Sequence, residues 1–362
     1  MADMADTRIE QYARVLVETC IDVQPEWQVI VNSGPLARPL IEEVSRAIAR
    51  RGAYAILRLT LDGEVLNIPW AEEAPEELLA KPAALRAVDL ETADGLIAIV
   101  APENTRGLSA LSAERIGLLQ AAYRPAMQRV FTGELPWVGC QYPTPALAQD
   151  AGMSLRHFED FLYGACLLDW SAERERMARY ASRFDAAEEV RLVGAETDLR
   201  LSIAGRSGEI DAGGANLPGG EFFYSPVEDS AEGSIAFTEF PAISVGREVQ
   251  GVRLRFQGGR VTDASAESNE DFLLEKLDQD EGARRLGELG IGCNPGITRY
   301  MKNTLFDEKM DGTVHLALGN SPPEIGGTNV SQIHWDIVKD LRADGRIELD
   351  GEVVQESGAW RI

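Results

Sequence analysis

At 362 residues, 44% hydrophobic and 26% charged, the chain has the makeup of an ordinary globular protein long enough to bury two cores. A formal net charge of −24 disfavours nucleic acid and anionic membrane surfaces, which both recruit clustered Lys and Arg, and is compatible with binding cations. Cys20, Cys140, Cys166 and Cys293 are scattered with no Cys-x-x-Cys pair, so neither a zinc ribbon nor a disulfide framework is indicated. The acidic N-terminus lacks the apolar run of a secretory signal, and no stretch approaches the roughly 20 apolar residues of a membrane span, so a cytoplasmic location is expected.

The first hundred residues alternate helix and strand patterns. After an amphipathic segment from Ile9 to Ile21, Trp27 to Val31 predicts a buried strand ending at Asn32-Ser33-Gly34-Pro35. Leu36, Leu40, Ile41, Val44 and Ile48 then keep helical spacing, and Gly52 closes that helix. Ala53 to Leu59 and Gly95 to Val100 read as further buried strands, and a helix is expected from about Ser112 to Val130. This order implies a Rossmann-like parallel sheet covered by helices. No Gly-x-Gly-x-x-Gly turn follows the first strand, so no dinucleotide is expected, and the domain is read as a scaffold or lid.

Residues 131 to 185 are read as a connector, with His157 on a helix surface. The boundary falls there, giving domains 1–185 and 186–362. From Glu188 the pattern changes to short strands and Gly-rich turns: Val252 to Phe256 alternates, and Gly258-Gly259 turns it into Arg260-Val261-Thr262, a hairpin. The second half is therefore expected to be mainly antiparallel β with a few helices, such as one near Glu270 to Leu277. The fold class is α/β followed by α+β.

Three histidines occur in the chain, and two of them, His315 and His334, fall within 313–336. His315 sits where Val314, Leu316 and Leu318 alternate with small or polar residues, so it should point away from the apolar face. If Ile333 to Ile337 is extended, His334 and Asp336 share a face. The Pro-Pro and Gly-Gly pairs between them read as a loop that lets the two strands lie side by side. Three Gly-rich patches, Asp211 to Glu221, Gly287 to Gly296 and Gly319 to Gly327, each carry or adjoin a carboxylate or histidine. Adding Glu221 and Glu288 to the imidazoles and Asp336 gives a mixed nitrogen and oxygen donor set suited to zinc, cobalt or manganese. Two divalent ions against three carboxylates leave one positive charge, which a bridging hydroxide would neutralise, whereas a single ion leaves one negative charge and a less acidic water.

At these motifs the sequence resembles the M29 metallopeptidases of the aminopeptidase T and aminopeptidase S type. Asn216-Leu-Pro-Gly-Gly-Glu-Phe-Phe223 onward is similar to the family's Asn-x-Pro-x-Gly-Glu-Val-Phe segment, and Leu286-Gly-Glu288 matches its Leu-Gly-Glu. Asn303-Thr-Leu-Phe-Asp-Glu308 and His315-Leu-Ala-Leu-Gly319 resemble its Asn-Thr-Leu-Phe-Asp-Glu and His-x-Ala-Leu-Gly, and Ile333-His-Trp-Asp336 its closing Ile-His-x-Asp. The resemblance implies a two-metal aminopeptidase that removes N-terminal residues from peptides, usually as a homodimer; the sequence by itself leaves small peptide and other amide substrates open. Its metal ligands would be Glu221, Glu288, His315, His334 and Asp336, with Glu288 also general base to a metal-activated hydroxide. One departure stands out: the family's larger peptidases place a catalytic tyrosine seven residues after the first motif histidine, and here that position is Pro322. Tyr224 and Tyr300 are the candidate substitutes. The alternatives are a metal-dependent amidohydrolase, a non-catalytic binding protein, and a ring-opening 2,5-dihydroxypyridine dioxygenase with one ferrous ion, an M29-like fold in which a histidine replaces the Leu-Gly-Glu glutamate.

Overall fold

The computed structural model describes residues 6–61, 67–244 and 246–361. Contacts divide the chain into two compact units, Met1–Leu168 with Gly213–Pro218, and Asp169–Ala212 with Gly219–Ile362.

The first unit is built on a parallel five-stranded sheet. Its strands run in the order Tyr54–Leu59, Gln28–Ser33, Gly95–Val100, Trp137–Gln141, Asn216–Leu217. Val29, Ile30, Val31, Ile97 and Ile99 fill its centre, and Leu40, Ile41, Val44 and Ile48 of helix Arg38–Arg50 are buried as their helical spacing requires. Three details differ from the sequence reading. Tyr54–Leu59 is the outermost strand, with Tyr54 65% and Leu59 58% exposed, so its apolar composition does not make it a buried strand. The helix expected over 112–130 is two, Ala113–Tyr123 and Gln128–Phe131, because Pro125 between them lacks an amide hydrogen and disfavours helical geometry at Arg124. Within 131–185, Trp137–Gln141 is a parallel strand of the sheet, whose mixed Gly and Gln content hid it.

The second unit carries an antiparallel eight-stranded sheet containing the expected hairpin, Val252–Gln257 with Arg260–Ser265. Gly258 and Gly259 turn it at φ of 56° and 71°, values that suit residues without a Cβ. The helix Trp170–Asp185 clusters with this unit rather than with the first half. Phe184 explains why, since its ring lies 5.1 Å edge-on to Phe222 and 5.9 Å stacked on Tyr224.

Beside it lies a five-stranded antiparallel sheet in the order His334–Asp340, Thr313–Gly319, Leu286–Gly292, Glu221–Tyr224, Glu209–Asp211. Residues paired across antiparallel strands share a face, which sorts this sheet into two sides. One side holds Phe222, Tyr224, Leu289, Ile291, Val314, Leu316, Leu318, Trp335 and Ile337, all buried. Each large apolar side chain so buried contributes about 1.5–3 kcal/mol, which locks the register. That register fixes what appears on the other side: Asp211, Glu221, Glu288, His315, His334 and Asp336, interspersed with Gly290, Gly292 and Ala317.

Candidate metal centre

Strand alternation alone would put Leu286 and Glu288 on the same side. A bulge at Gly287 prevents this, because Leu286 pairs with Leu318 while Glu288 pairs with the next residue along, Ala317. The extra residue turns Glu288 away from the apolar core and onto the polar face. Gly287 is required there, since a Cβ would lie 2.3 Å from the carbonyl oxygen of Asn320. Glycine also makes the hollow: a Cβ on Gly290 would lie 1.9 Å from Cε1 of His315, whose ring therefore rests directly on the strand backbone.

Both imidazoles are anchored the same way. His315 Nδ1 lies 3.0 Å from the carbonyl oxygen of Glu308, and His334 Nδ1 lies 2.8 Å from that of Asn320. A carbonyl only accepts, so each Nδ1 carries hydrogen and each Nε2 faces the carboxylates. His315 Nε2 is 3.1 Å from Glu288 Oε1 and 3.6 Å from Glu221 Oε2. His334 Nε2 is 3.7 Å from Glu288 Oε2 and 3.5 Å from Asp336 Oδ1. Glu288, His315 and Asp336 each offer a ligand atom within 4.8 Å of the others. All five residues singled out in the sequence thus meet on one sheet face.

The donor set fits a divalent cation. Among the described residues, Glu221 Oε2 and Asp336 Oδ1 are buried side-chain oxygens without a hydrogen-bond partner, an expensive state for a carboxylate unless a cation completes it. Without an ion the site compensates with protons. Burial opposes charge on His315, yet the Glu288 hydrogen bond and the charges of Glu221 and Asp336 push it up to about 10. Burial raises Glu288, and burial also works against Asp336, which the neighbouring His334 charge nonetheless holds down at about 2. An ion must displace the His315 proton, because only neutral imidazole coordinates. Metal affinity should therefore rise with pH from about 6 to 9, and calorimetry in buffers of different ionisation enthalpy should register proton release. Uptake that is independent of pH would contradict this charge arrangement.

Four motifs in chain order converge here on one face. A family model described as thermophilic metalloprotease (M29) matches residues 5–360. The chain belongs to the M29 metalloprotease family. Among its relatives are Aminopeptidase 2 of Geobacillus stearothermophilus, 28% identical over 98% of both chains, and Aminopeptidase T of Thermus thermophilus, 27% identical over 89% of this chain and 86% of that one. Among solved structures, wild-type AmpT from Thermus thermophilus superposes with a TM-score of 0.85 at 23% identity, covering 98% of this chain and 99% of that one. A 2,5-dihydroxypyridine dioxygenase from Pseudomonas putida KT2440 shares the fold at a TM-score of 0.65 and 14% identity, over 98% and 96% of the two chains.

Two features of the site depart from what the sequence led one to expect. Neither candidate tyrosine stands in for the tyrosine expected where this chain has Pro322. Tyr224 projects from the apolar face and donates its hydroxyl to Asp185 at 2.7 Å, or to the Ala181 carbonyl at 3.1 Å. Tyr300 stacks on Phe240 and donates to the Pro241 carbonyl. The second feature is a lysine. Lys309, fully buried, places its ammonium 2.9 Å from Glu221 Oε1 and against Glu308. Sequence reasoning singled out neither Lys309 nor the role of Glu308. The one available signal was a lysine, in a chain with only five, adjoining a family motif. His157 lies exposed on helix Leu155–Cys166.

Proposed function

We propose that this M29 enzyme is a metal-dependent aminopeptidase acting on small peptides or related amides. Glu288, His315 and Asp336 would hold a divalent ion of the zinc, cobalt or manganese type, with His334 and Glu221 completing the set. The observation that carries this reading is the convergence of five donors from four separate strand and loop segments, two of them orphaned buried carboxylate oxygens. The names of the curated relatives support the peptide substrate.

The bound ion would supply Lewis acidity to a water molecule and to the scissile carbonyl. The protein's own contribution follows from the geometry. Glu288 sits between both imidazoles, its two oxygens at 3.1 Å and 3.7 Å from their Nε2 atoms. Burial lifts its proton affinity toward the range where a carboxylate both takes and returns a proton. It would accept the proton of the attacking water and deliver it to the departing amine. His315, locked by Gly290 and the Glu308 carbonyl, holds Glu288 in place.

Hydrolysis of a panel of aminoacyl anilides should fall by at least about 100-fold after chelation and return on addition of zinc or cobalt. Activity indifferent to chelation would refute the assignment. The dioxygenase sharing the fold keeps a second reading in view, because two histidines and an aspartate also suit one ferrous ion. Oxygen uptake on aromatic diols by iron-loaded protein, with no anilide hydrolysis, would favour it. The homodimer implied by the resemblance would be tested by light scattering.

A further inference from the structure

We propose that the Lys309 ammonium is a built-in second cation of this centre, so that each site takes one divalent ion, at Glu288, His315 and Asp336, where two were expected. The inference rests on the metal-centre reading above.

Position is the first argument. Glu221, the outlying carboxylate of the donor set, gives Oε1 to Lys309 at 2.9 Å and turns only Oε2 toward His315, at 3.6 Å. Glu308 pairs with the same ammonium. An ion bound to Glu221 Oε1 would have to share that oxygen with a fixed positive charge in a buried, weakly screened place. The three-residue cluster with ligand atoms in mutual reach contains Glu288, His315 and Asp336, and leaves Glu221 out.

The backbone that carries this lysine is also fixed. Gly292, paired with Glu221 across the sheet, has no Cβ because one would lie 2.2 Å from the Met310 carbonyl oxygen and 2.9 Å from the Lys309 carbonyl carbon. The Asn294 amide donates to the Lys309 carbonyl at 2.8 Å. The two Asp307 oxygens accept from the Met301 and Asn303 amides, each at 2.6 Å, which shapes the turn leading into Glu308 and Lys309. Lysine is thus delivered to Glu221 by the backbone, with no exposed surface to swing toward.

Charge agrees. One divalent ion and the ammonium match the three carboxylates Glu221, Glu288 and Asp336. A second divalent ion would leave two positive charges in excess, which only an ionised Glu308 together with a bound hydroxide would offset. Lys309 then does for Glu221 what a second metal would do, neutralising it and aiming its free oxygen at the single ion.

The test is metal stoichiometry, read independently of turnover. Metal-free wild-type protein is titrated with Zn²⁺ by calorimetry and assayed for bound metal after dialysis, alongside Lys309→Met and Glu221→Gln, each checked for folding by circular dichroism. One ion per chain is expected for the wild type and for Glu221→Gln. Lys309→Met, which frees Glu221 and Glu308, should take up a second ion with affinity raised by at least tenfold over any second binding to wild type. Two tightly bound ions on the wild type, falling to one in Glu221→Gln, would overturn the proposal while leaving the metal centre standing. Failure of the wild type to bind any ion would instead sink the metal-centre reading and the proposal with it. Should Lys309→Met not fold, the comparison of wild type with Glu221→Gln still decides.

Discussion

Replacing Glu288 by Gln is expected to lower kcat/KM on aminoacyl anilides by about 10³-fold, within the range of a lost general acid–base. That is about 4 kcal/mol of transition-state stabilisation at 1.36 kcal/mol per decade. The amide is close in shape, so the bulge at Gly287 and the apolar register that place residue 288 should survive, and circular dichroism should be unchanged. What changes is that an amide cannot take a proton from the attacking water. Metal content then separates two roles: full occupancy with lost turnover assigns proton transfer, whereas parallel loss of both assigns ligation. Activity within about tenfold of the parent would remove Glu288 from the reaction.

Gly290→Ala is expected to be nearly as damaging although it adds one methyl group. The new carbon would start 1.9 Å from His315 Cε1, so the imidazole must leave the strand. Leaving breaks its bond to the Glu308 carbonyl and its approach to Glu288. Overpacking of this kind costs about 1–3 kcal/mol, and displacing a ligand should cut metal affinity by about 10–100-fold. Urea denaturation and metal titration would measure the two effects separately. Gly117→Ala is the control: nothing lies within 4 Å of its added carbon, and in helix Ala113–Tyr123 the change should be neutral or stabilising by up to about 1 kcal/mol. Equal behaviour of the two variants would mean that His315 does not depend on the glycine floor.

Much of the centre was legible in the chain before folding. Strand periodicity of two places His334 with Asp336, and sets His315 opposite Leu316, whatever the rest of the molecule does. Composition and helix–strand alternation likewise pointed to a parallel-sheet first half and an antiparallel second half, because local patterning reports which face of each element is apolar. Family motifs added Glu221 and Glu288, which no local pattern distinguishes from the many other glutamates.

Tertiary structure decided the remainder, because it depends on residues far apart in sequence. The bulge that turns Glu288 onto the polar face exists only in the pairing of 286–292 with 313–319. That Tyr54–Leu59 lies at a sheet edge follows from strand order, which no segment carries within itself. Above all, the ion pair of Lys309 with Glu221 joins positions nearly ninety apart in the chain. A lysine's sequence neighbours do not say whether its flexible stem ends in water or against a carboxylate; packing of the 309–310 backbone on Gly292 does.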